Sequence, residues 1–335
     1  MLSSTTFARR VTPTLSYSFS TCRIHRQQQH QPSSQVKSID NLTVFGAGLM
    51  GAGIAQVAAM NGVKVVMTDV SDGALENGRA IILKSLTRIA RKKHADNAPG
   101  QQAFIDSVFN NLSTTTSAQQ AVSRSDLVIE AIVEHLETKQ ELFRRLDELA
   151  PAKTTFASNT SSLSITKIAQ GVSDDRKKRF AGFHAFNPVP QMKLVELIAT
   201  EQTDPSVMQS LLDLCKRMQK SPVQCKDTPG FIVNRLLVPY MLEAIRMYER
   251  GEASAEDIDT AMKLGAGLPM GPLELSDFVG LDTLNHIATG WRQERVEPGE
   301  IDRKSVEPVP VLERLVKEGK TGRKSGQGFF KCESP

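Results

Sequence analysis

The chain has 335 residues, 40% of them hydrophobic and 23% charged, with a formal net charge of +4. That length suits two domains or one large one, and no run approaches the ~18 consecutive apolar residues of a membrane-spanning helix, so no membrane insertion is expected. The charge is unevenly placed: Arg9, Arg10, Arg23, Arg26 and Lys37 fall in the first 39 residues, where there is no Asp or Glu, and the remainder stands at about −1, which argues against a nucleic-acid partner.

The leader is rich in Ser, Thr and Gln and lacks the apolar stretch of a secretory signal. An Arg-rich, Ser-rich, acid-free segment has the composition of a mitochondrial transit peptide, so residues 1–38 read as a leader and the expected location is the mitochondrial matrix. The segment Lys331-Cys332-Glu333-Ser334-Pro335 carries no Ser-Lys-Leu address. Cys22, Cys215, Cys225 and Cys332 are scattered, without CxxC or zinc-like spacing, and read as reduced thiols. No metal site is expected.

Order begins near Ile39. Leu42-Thr43-Val44-Phe45 predicts a short buried strand, followed at once by Gly46-Ala47-Gly48-Leu49-Met50-Gly51 and a helical apolar pattern that closes at Asn61-Gly62. A second apolar run, Val63 to Thr68, ends at Asp69, which completes a βαβ unit. A lone GxGxxG is weak evidence, but here it lies between a predicted strand and a helix start. Gly46 permits the tight turn, Gly48 lets backbone approach a pyrophosphate, and Gly51 lets helix pack on strand. Asp69 is placed to bond both ribose hydroxyls and to repel a 2′-phosphate, so the expected cofactor is NAD, not NADP.

Beyond this unit, Glu76 to His94 reads as one long helix with a basic carboxyl end. Strands are expected over Asp126–Val133, Thr154–Ser158, Arg179–Phe186 and Lys193–Ala199, with helices over Glu137–Leu149 and Ile165–Ala169. That alternation predicts an α/β fold with a mostly parallel sheet covered on both faces. From Phe231 the pattern turns to helix after helix, punctuated by Val238-Pro239 and by Gly265 to Pro272. The expected organisation is a Rossmann-like NAD-binding domain over residues 39–229 and a smaller all-α domain over residues 230–331. The predicted strands that carry His184 and Glu196 are joined by a short Pro-containing loop. Antiparallel pairing would fold Glu196 towards His184, an imidazole suited to taking a hydroxyl proton near neutral pH.

These stretches resemble the 3-hydroxyacyl-CoA dehydrogenase family from about Asn41 to Phe330. The most specific pieces are the glycine turn, Ser158-Asn159-Thr160-Ser161-Ser162, His184-Ala185-Phe186-Asn187-Pro188-Val189-Pro190 and Asp227-Thr228-Pro229-Gly230-Phe231-Ile232-Val233-Asn234-Arg235. The resemblance implies reversible oxidation of (S)-3-hydroxyacyl-CoA by NAD in fatty acid β-oxidation, by a homodimer joined through the helical domain. It implies His184 as base, oriented by Glu196, with Ser161 and Asn234 on the reacting oxygens. Glu134, Lys139, Asn187 and Lys324, together with Ser161, match positions that approach the cofactor, and Ser85 and Lys92 match positions that contact CoA. Those two lie seven residues apart, two turns on one face of the long helix. Ser161 read alone could instead cap the helix that begins at Ile165. Ala185 departs from the family pattern, which has a bulky aromatic there. Two other readings stand beside this one: a related dehydrogenase of a non-CoA hydroxy acid, and a crystallin-like NAD-binding protein without turnover.

Overall fold

In the computed structural model residues 38–331 are described; the expected leader, Ser38 apart, lies outside them, as do Cys22 and Cys332. β1 (Asn41–Phe45) leads through the glycine turn into α1 (Leu49–Met60), and β2 (Lys64–Thr68) returns parallel to β1 with Phe45 opposite Thr68. α1 is built largely of Gly and Ala and is buried from Gly51 to Ala59, so it can lie close against the sheet. α2 (Asp72–Lys93) starts four residues before the expected helix because Ser71 caps it, its hydroxyl accepting from the Ala74 N–H. α3 (Ala98–Phe109) follows and packs against α2.

The chain then runs through β3 (Leu112–Thr115), α4 (Ala118–Val122), β4 (Leu127–Glu130), α5 (Leu136–Leu149) and β5 (Thr155–Ser158). Next come α6 (Ile165–Ile168), α7 (Asp174–Lys177), β6 (Phe180–Ala185), β7 (Leu194–Ala199), α8 (Pro205–Arg217) and β8 (Ser221–Lys226). The eight strands form one sheet in the order β3-β2-β1-β4-β5-β6-β7-β8. It is parallel from β3 to β6, turns antiparallel at β7, and closes with β8 parallel to β7. Successive strands are added on opposite sides of β1, so a crevice opens between the carboxyl ends of β1 and β4, the place where such sheets bind ligands. Apolar side chains cover both faces: Leu42, Val44 and Met67 belong to one cluster, and Phe143, Phe156 and Phe180 form an aromatic group within another.

α9 (Val233–Glu249), α10 (Ala255–Gly265), α11 (Pro272–Val279), α12 (Leu281–Glu294) and α13 (Pro310–Lys317) surround a separate core that includes Leu242, Ile245, Leu273, Leu284 and Trp291. One expectation is corrected here. Pro239 does not punctuate the helices but lies inside α9, which runs unbroken past it. A proline removes one ladder hydrogen bond, and burial of Val238, Met241, Leu242 and Ile245 along the same helix outweighs that loss.

Candidate active site

The glycine turn sits at the crevice. Gly46 has φ +102°, and a Cβ on it would run into the Ala131 carbonyl in the turn after β4. A Cβ on Gly51 would run into the Gly46 carbonyl, so both positions exclude a side chain. Gly48 differs. Its backbone is ordinary, φ −69°, and no protein atom lies within 4 Å of where its Cβ would be. Its smallness therefore leaves open space at the amino end of α1, where free N–H groups of Leu49 and Met50 favour an anion such as a pyrophosphate. Asp69, at the end of β2, accepts from the Ala47 N–H (2.7 Å) and the Val70 N–H (2.7 Å), which ties this acid to the turn. Val70 is exposed and uncharged, so it offers a 2′-phosphate no charged partner. The residues present fit a dinucleotide with free ribose hydroxyls.

His184 and Glu196 face each other in the register of β6 and β7. His184 Nδ1 lies 2.7 Å from Glu196 Oε2, with the imidazole 5% exposed and the glutamate fully buried. A carboxylate can only accept here, so the ring proton sits on Nδ1 and Nε2 is left as the basic nitrogen. The other carboxylate oxygen, Oε1, accepts from the N–H groups of Ile232 (3.0 Å) and Val233 (2.9 Å), at the amino end of α9. Glu196 thus holds both the histidine and the start of the helix that carries Asn234. Gly230 (φ +74°) and Phe231 (φ +52°) turn the chain into that helix. A left-handed phenylalanine costs about 1–2 kcal/mol, and burial of its ring beside His184, 5.6 Å between centroids, offsets it. Phe186 covers the imidazole more closely, at 4.4 Å. Aromatic packing around the histidine is therefore supplied without an aromatic residue at position 185, and the Ala185 N–H donates to Asn159 Oδ1 (2.9 Å).

Asn234 Nδ2 donates to the Ser161 carbonyl (3.2 Å), linking α9 to the loop after β5. The cap of α6 is Ser164, whose hydroxyl accepts from the Lys167 N–H; Ser161 is not the cap, and its own hydroxyl makes no hydrogen bond among the described residues. The Ser161 loop is clamped by Glu134, whose Oε1 accepts from Thr160 Oγ1 (2.5 Å), the Ser161 N–H (3.0 Å) and both the N–H and hydroxyl of Ser162. Beneath it Lys139, expected near the cofactor, is 1% exposed, with its ammonium 2.5 Å from Glu130 and 3.3 Å from Glu134.

The family model described as "3-hydroxyacyl-CoA dehydrogenase, NAD binding domain" matches residues 41–228, and its C-terminal domain model matches residues 230–332. The chain belongs to the 3-hydroxyacyl-CoA dehydrogenase family. It is 54% identical over 293 residues to the mitochondrial hydroxyacyl-coenzyme A dehydrogenase of Rattus norvegicus, covering 88% of this chain and 91% of that one. The human protein of the same name is 53% identical with the same coverage. The crystal structure of (S)-3-hydroxybutyryl-CoA dehydrogenase from Ralstonia eutropha matches with a TM-score of 0.81 and 38% identity, covering 89% of this chain and 100% of that one. As a 3-hydroxyacyl-CoA dehydrogenase family member, the chain is an NAD-binding oxidoreductase.

Within this family frame, hydrogen bonds join Ser161, Asn234, His184, Glu196 and Glu134 to one another through short links, and the glycine turn to Asp69. Other expected residues are not joined to these by hydrogen bonds among the described residues. Ser85 and Lys92 lie on α2, half-buried and exposed respectively. Asn187 is exposed in the loop after β6, and Lys324 pairs with Asp282 (2.5 Å) in the helical region. Two acids, Glu130 buried and Asp227 half-buried, have supporting roles that the sequence reading did not assign. Glu130 supports Lys139, Ser158 and the Ile132 N–H, and Asp227 accepts from Ser164 and the Ile165 and Thr166 N–H groups. The available signal for Glu130 is an acid closing the otherwise apolar Leu127-Val128-Ile129 strand.

Burial works against ionisation of Glu134, but the Lys139 charge and the donors Thr160, Ser161 and Lys139 outweigh it and hold its carboxyl below the usual range. A depressed carboxylate contributes stability that is present above the unfolded value, near pH 4.5, and is lost as pH falls through the folded one. We predict that Glu134→Gln lowers the thermal midpoint at neutral pH and that the gap to wild type narrows on acidification below that value. A gap that stays constant between neutral and acid pH would contradict the clamp.

Proposed function

We propose that this chain catalyses NAD-dependent, reversible oxidation of the 3-hydroxyl of (S)-3-hydroxyacyl-CoA to 3-oxoacyl-CoA, in fatty acid β-oxidation. The observation that carries the reading is the His184–Glu196 pair, whose second carboxylate oxygen anchors the helix bearing Asn234. His184 Nε2 takes the hydroxyl proton in oxidation and returns it in reduction. Glu196 holds the imidazole by Nδ1 and stabilises its cationic form. The Ser161 hydroxyl and the Asn234 amide hold the 3-oxygen, polarising it without competing for the proton. Bound NAD would supply the hydride acceptor, held at the Gly46, Ala47, Gly48, Leu49, Met50 and Gly51 turn and at Asp69, with Glu134, Ser161, Asn187 and Lys324 contributing around it and the buried Lys139 acting through its ion pair to Glu134.

We assign residues 39–229 to the NAD-binding domain and residues 230–331 to a helical domain that completes the cleft and joins two copies into a homodimer. The first 38 residues serve as the presequence for the mitochondrial matrix, a reading supported by their composition and by mitochondrial relatives. The carboxyl half of α2, with Lys84, Ser85, Arg88, Arg91, Lys92 and Lys93, takes the phosphates of CoA. Cations at a helix carboxyl end are favourable by about 0.3–1 kcal/mol without any ligand, so a ligand-specific test is needed. Lys92→Glu should raise KM for acyl-CoA much more than KM for NAD; equal effects on both constants would sink the assignment.

The function is tested by following NADH oxidation with acetoacetyl-CoA, using protein that lacks residues 1–38, against a panel of non-CoA oxo acids. Turnover confined to the thioester supports the reading. Turnover confined to a free acid would transfer the same machinery to a different substrate, and NADH binding without turnover on either would mark a non-catalytic protein.

A further inference from the structure

Lys220 ends the turn between α8 and β8 and is 8% exposed, yet no carboxylate pairs with it among the described residues. The turn aims it inward: Gln219 adopts the left-handed conformation (φ +57°), and the Lys220 N–H closes onto the Cys215 carbonyl (2.8 Å). A non-glycine residue in that conformation costs about 1–2 kcal/mol, and such strain persists where the surroundings require it. Burial also disfavours the ammonium, pushing the Lys220 pKa below the ordinary lysine value. Both costs are met for a definite contact. The ammonium donates to the carbonyls of Val189 and of Met192 (2.7 Å), two points on the loop that joins β6 to β7.

That loop begins two residues after His184 and carries Asn187. Its other side is wedged against the cofactor helix: Val189 is 2% exposed, and a Cβ on Gly53 of α1 would come within 2.8 Å of the Val189 Cβ. Further along, the Gln191 and Met192 N–H groups fold back onto the Pro188 carbonyl, but the outward Val189 and Met192 carbonyls take their donors from Lys220. Three supports therefore fix the loop: strand β6, helix α1, and one buried ammonium from the far edge of the sheet.

We propose that Lys220 is a positioning residue for the cofactor, holding the loop of residues 187–192 against α1 so that Asn187 is presented to bound NAD. The Asn187 amide makes no hydrogen bond among the described residues, which leaves it available to a ligand. The inference rests on the reading of Asn187 as a cofactor contact, and it predicts an effect on NAD that is separable from acyl-CoA, because the loop's contacts lead to α1 and not to α2.

The test is NADH titration by fluorescence alongside steady-state kinetics in Lys220→Met and Lys220→Gln. Loss of charge-assisted donors to both carbonyls should weaken NADH binding about tenfold in Lys220→Met and less in Lys220→Gln, which keeps a donor, while KM for acetoacetyl-CoA moves by less than about twofold. Unchanged NADH affinity in folded Lys220→Met, even with a lowered thermal midpoint, would assign the residue to folding alone and overturn the proposal. Should Lys220→Met not be obtained folded, Lys220→Gln decides it by the same criterion. Equal losses for NADH and acyl-CoA would also overturn it. A wild-type protein that is inert towards acetoacetyl-CoA, but whose NADH affinity falls in the variants, would reject the substrate reading and leave the positioning role standing.

Discussion

His184→Gln is expected to lower kcat for acetoacetyl-CoA reduction by about 10²–10⁴-fold, the range of general acid–base catalysis by one positioned group. NADH affinity should change little, because the dinucleotide turn and Asp69 follow β1 and β2, and the substitution alters only the His184 side chain on β6. Glutamine approximates the shape of imidazole and can still donate to Glu196, so a loss reflects the missing base and not a collapsed strand. Glu196→Gln makes the complementary case. The carboxylate divides its oxygens between His184 and the Ile232 and Val233 N–H groups. An amide has one acceptor oxygen: kept on the start of α9, it turns its NH2 towards Nδ1 and forces the ring proton onto Nε2, and turned to the histidine it abandons the start of α9. The expected result is a fall in kcat for both reasons, with a shift in the pH profile of kcat that His184→Gln, having no imidazole, does not share. Retention of more than about a tenth of wild-type kcat in His184→Gln would remove the histidine from the proton-transfer step.

Much of this site was legible because it lies on interior strands. β1, β2, β5, β6 and β7 are short apolar runs buried on both faces, and their pattern stands out without tertiary information. The pairing of His184 with Glu196 followed from a short loop between two such runs, and the register bears it out. The edges were not legible, for a physical reason. β3 reads Leu-Ser-Thr-Thr and β8 reads Ser-Pro-Val-Gln-Cys-Lys, and neither presents an apolar alternation because each has a side facing solvent. The capped helices α3 and α8 carry signals, Asn97 and Asp204 each before a Pro-containing first turn, that become clear only once the strands on either side are placed. Pro239 misled because a proline is ordinarily a helix breaker, whereas packing along α9 tolerates it. Lys139 lies nine residues after Glu130, but its burial depends on how the turn from β4 into α5 folds its ammonium back onto Glu130 and Glu134, which the charge pattern alone does not show.

That buried lysine gives the largest expected effect on stability. Lys139→Met should destabilise the protein by about 3–5 kcal/mol, since it strands the Glu130 carboxylate, which is fully buried and keeps only Ser158 and the Ile132 N–H as partners. Methionine fills a similar volume, so the loss is electrostatic more than a cavity effect. The double variant Glu130→Gln/Lys139→Met removes the stranded charge and should recover part of the loss, whereas two independent sites would give additive losses. Denaturant unfolding of wild type, both single variants and the double variant measures this coupling. A cost below about 1 kcal/mol for Lys139→Met would mean that water reaches Glu130 and that the ion pair is not what closes this part of the crevice. If the predicted loss is found, the same variant should also loosen the Ser161 loop, because Glu134 loses the ammonium beneath it while keeping Thr160, Ser161 and Ser162. Stability and the placement of a proposed substrate-binding hydroxyl would then depend on one buried charge at the carboxyl end of β4, the edge of the crevice where the dinucleotide turn also lies.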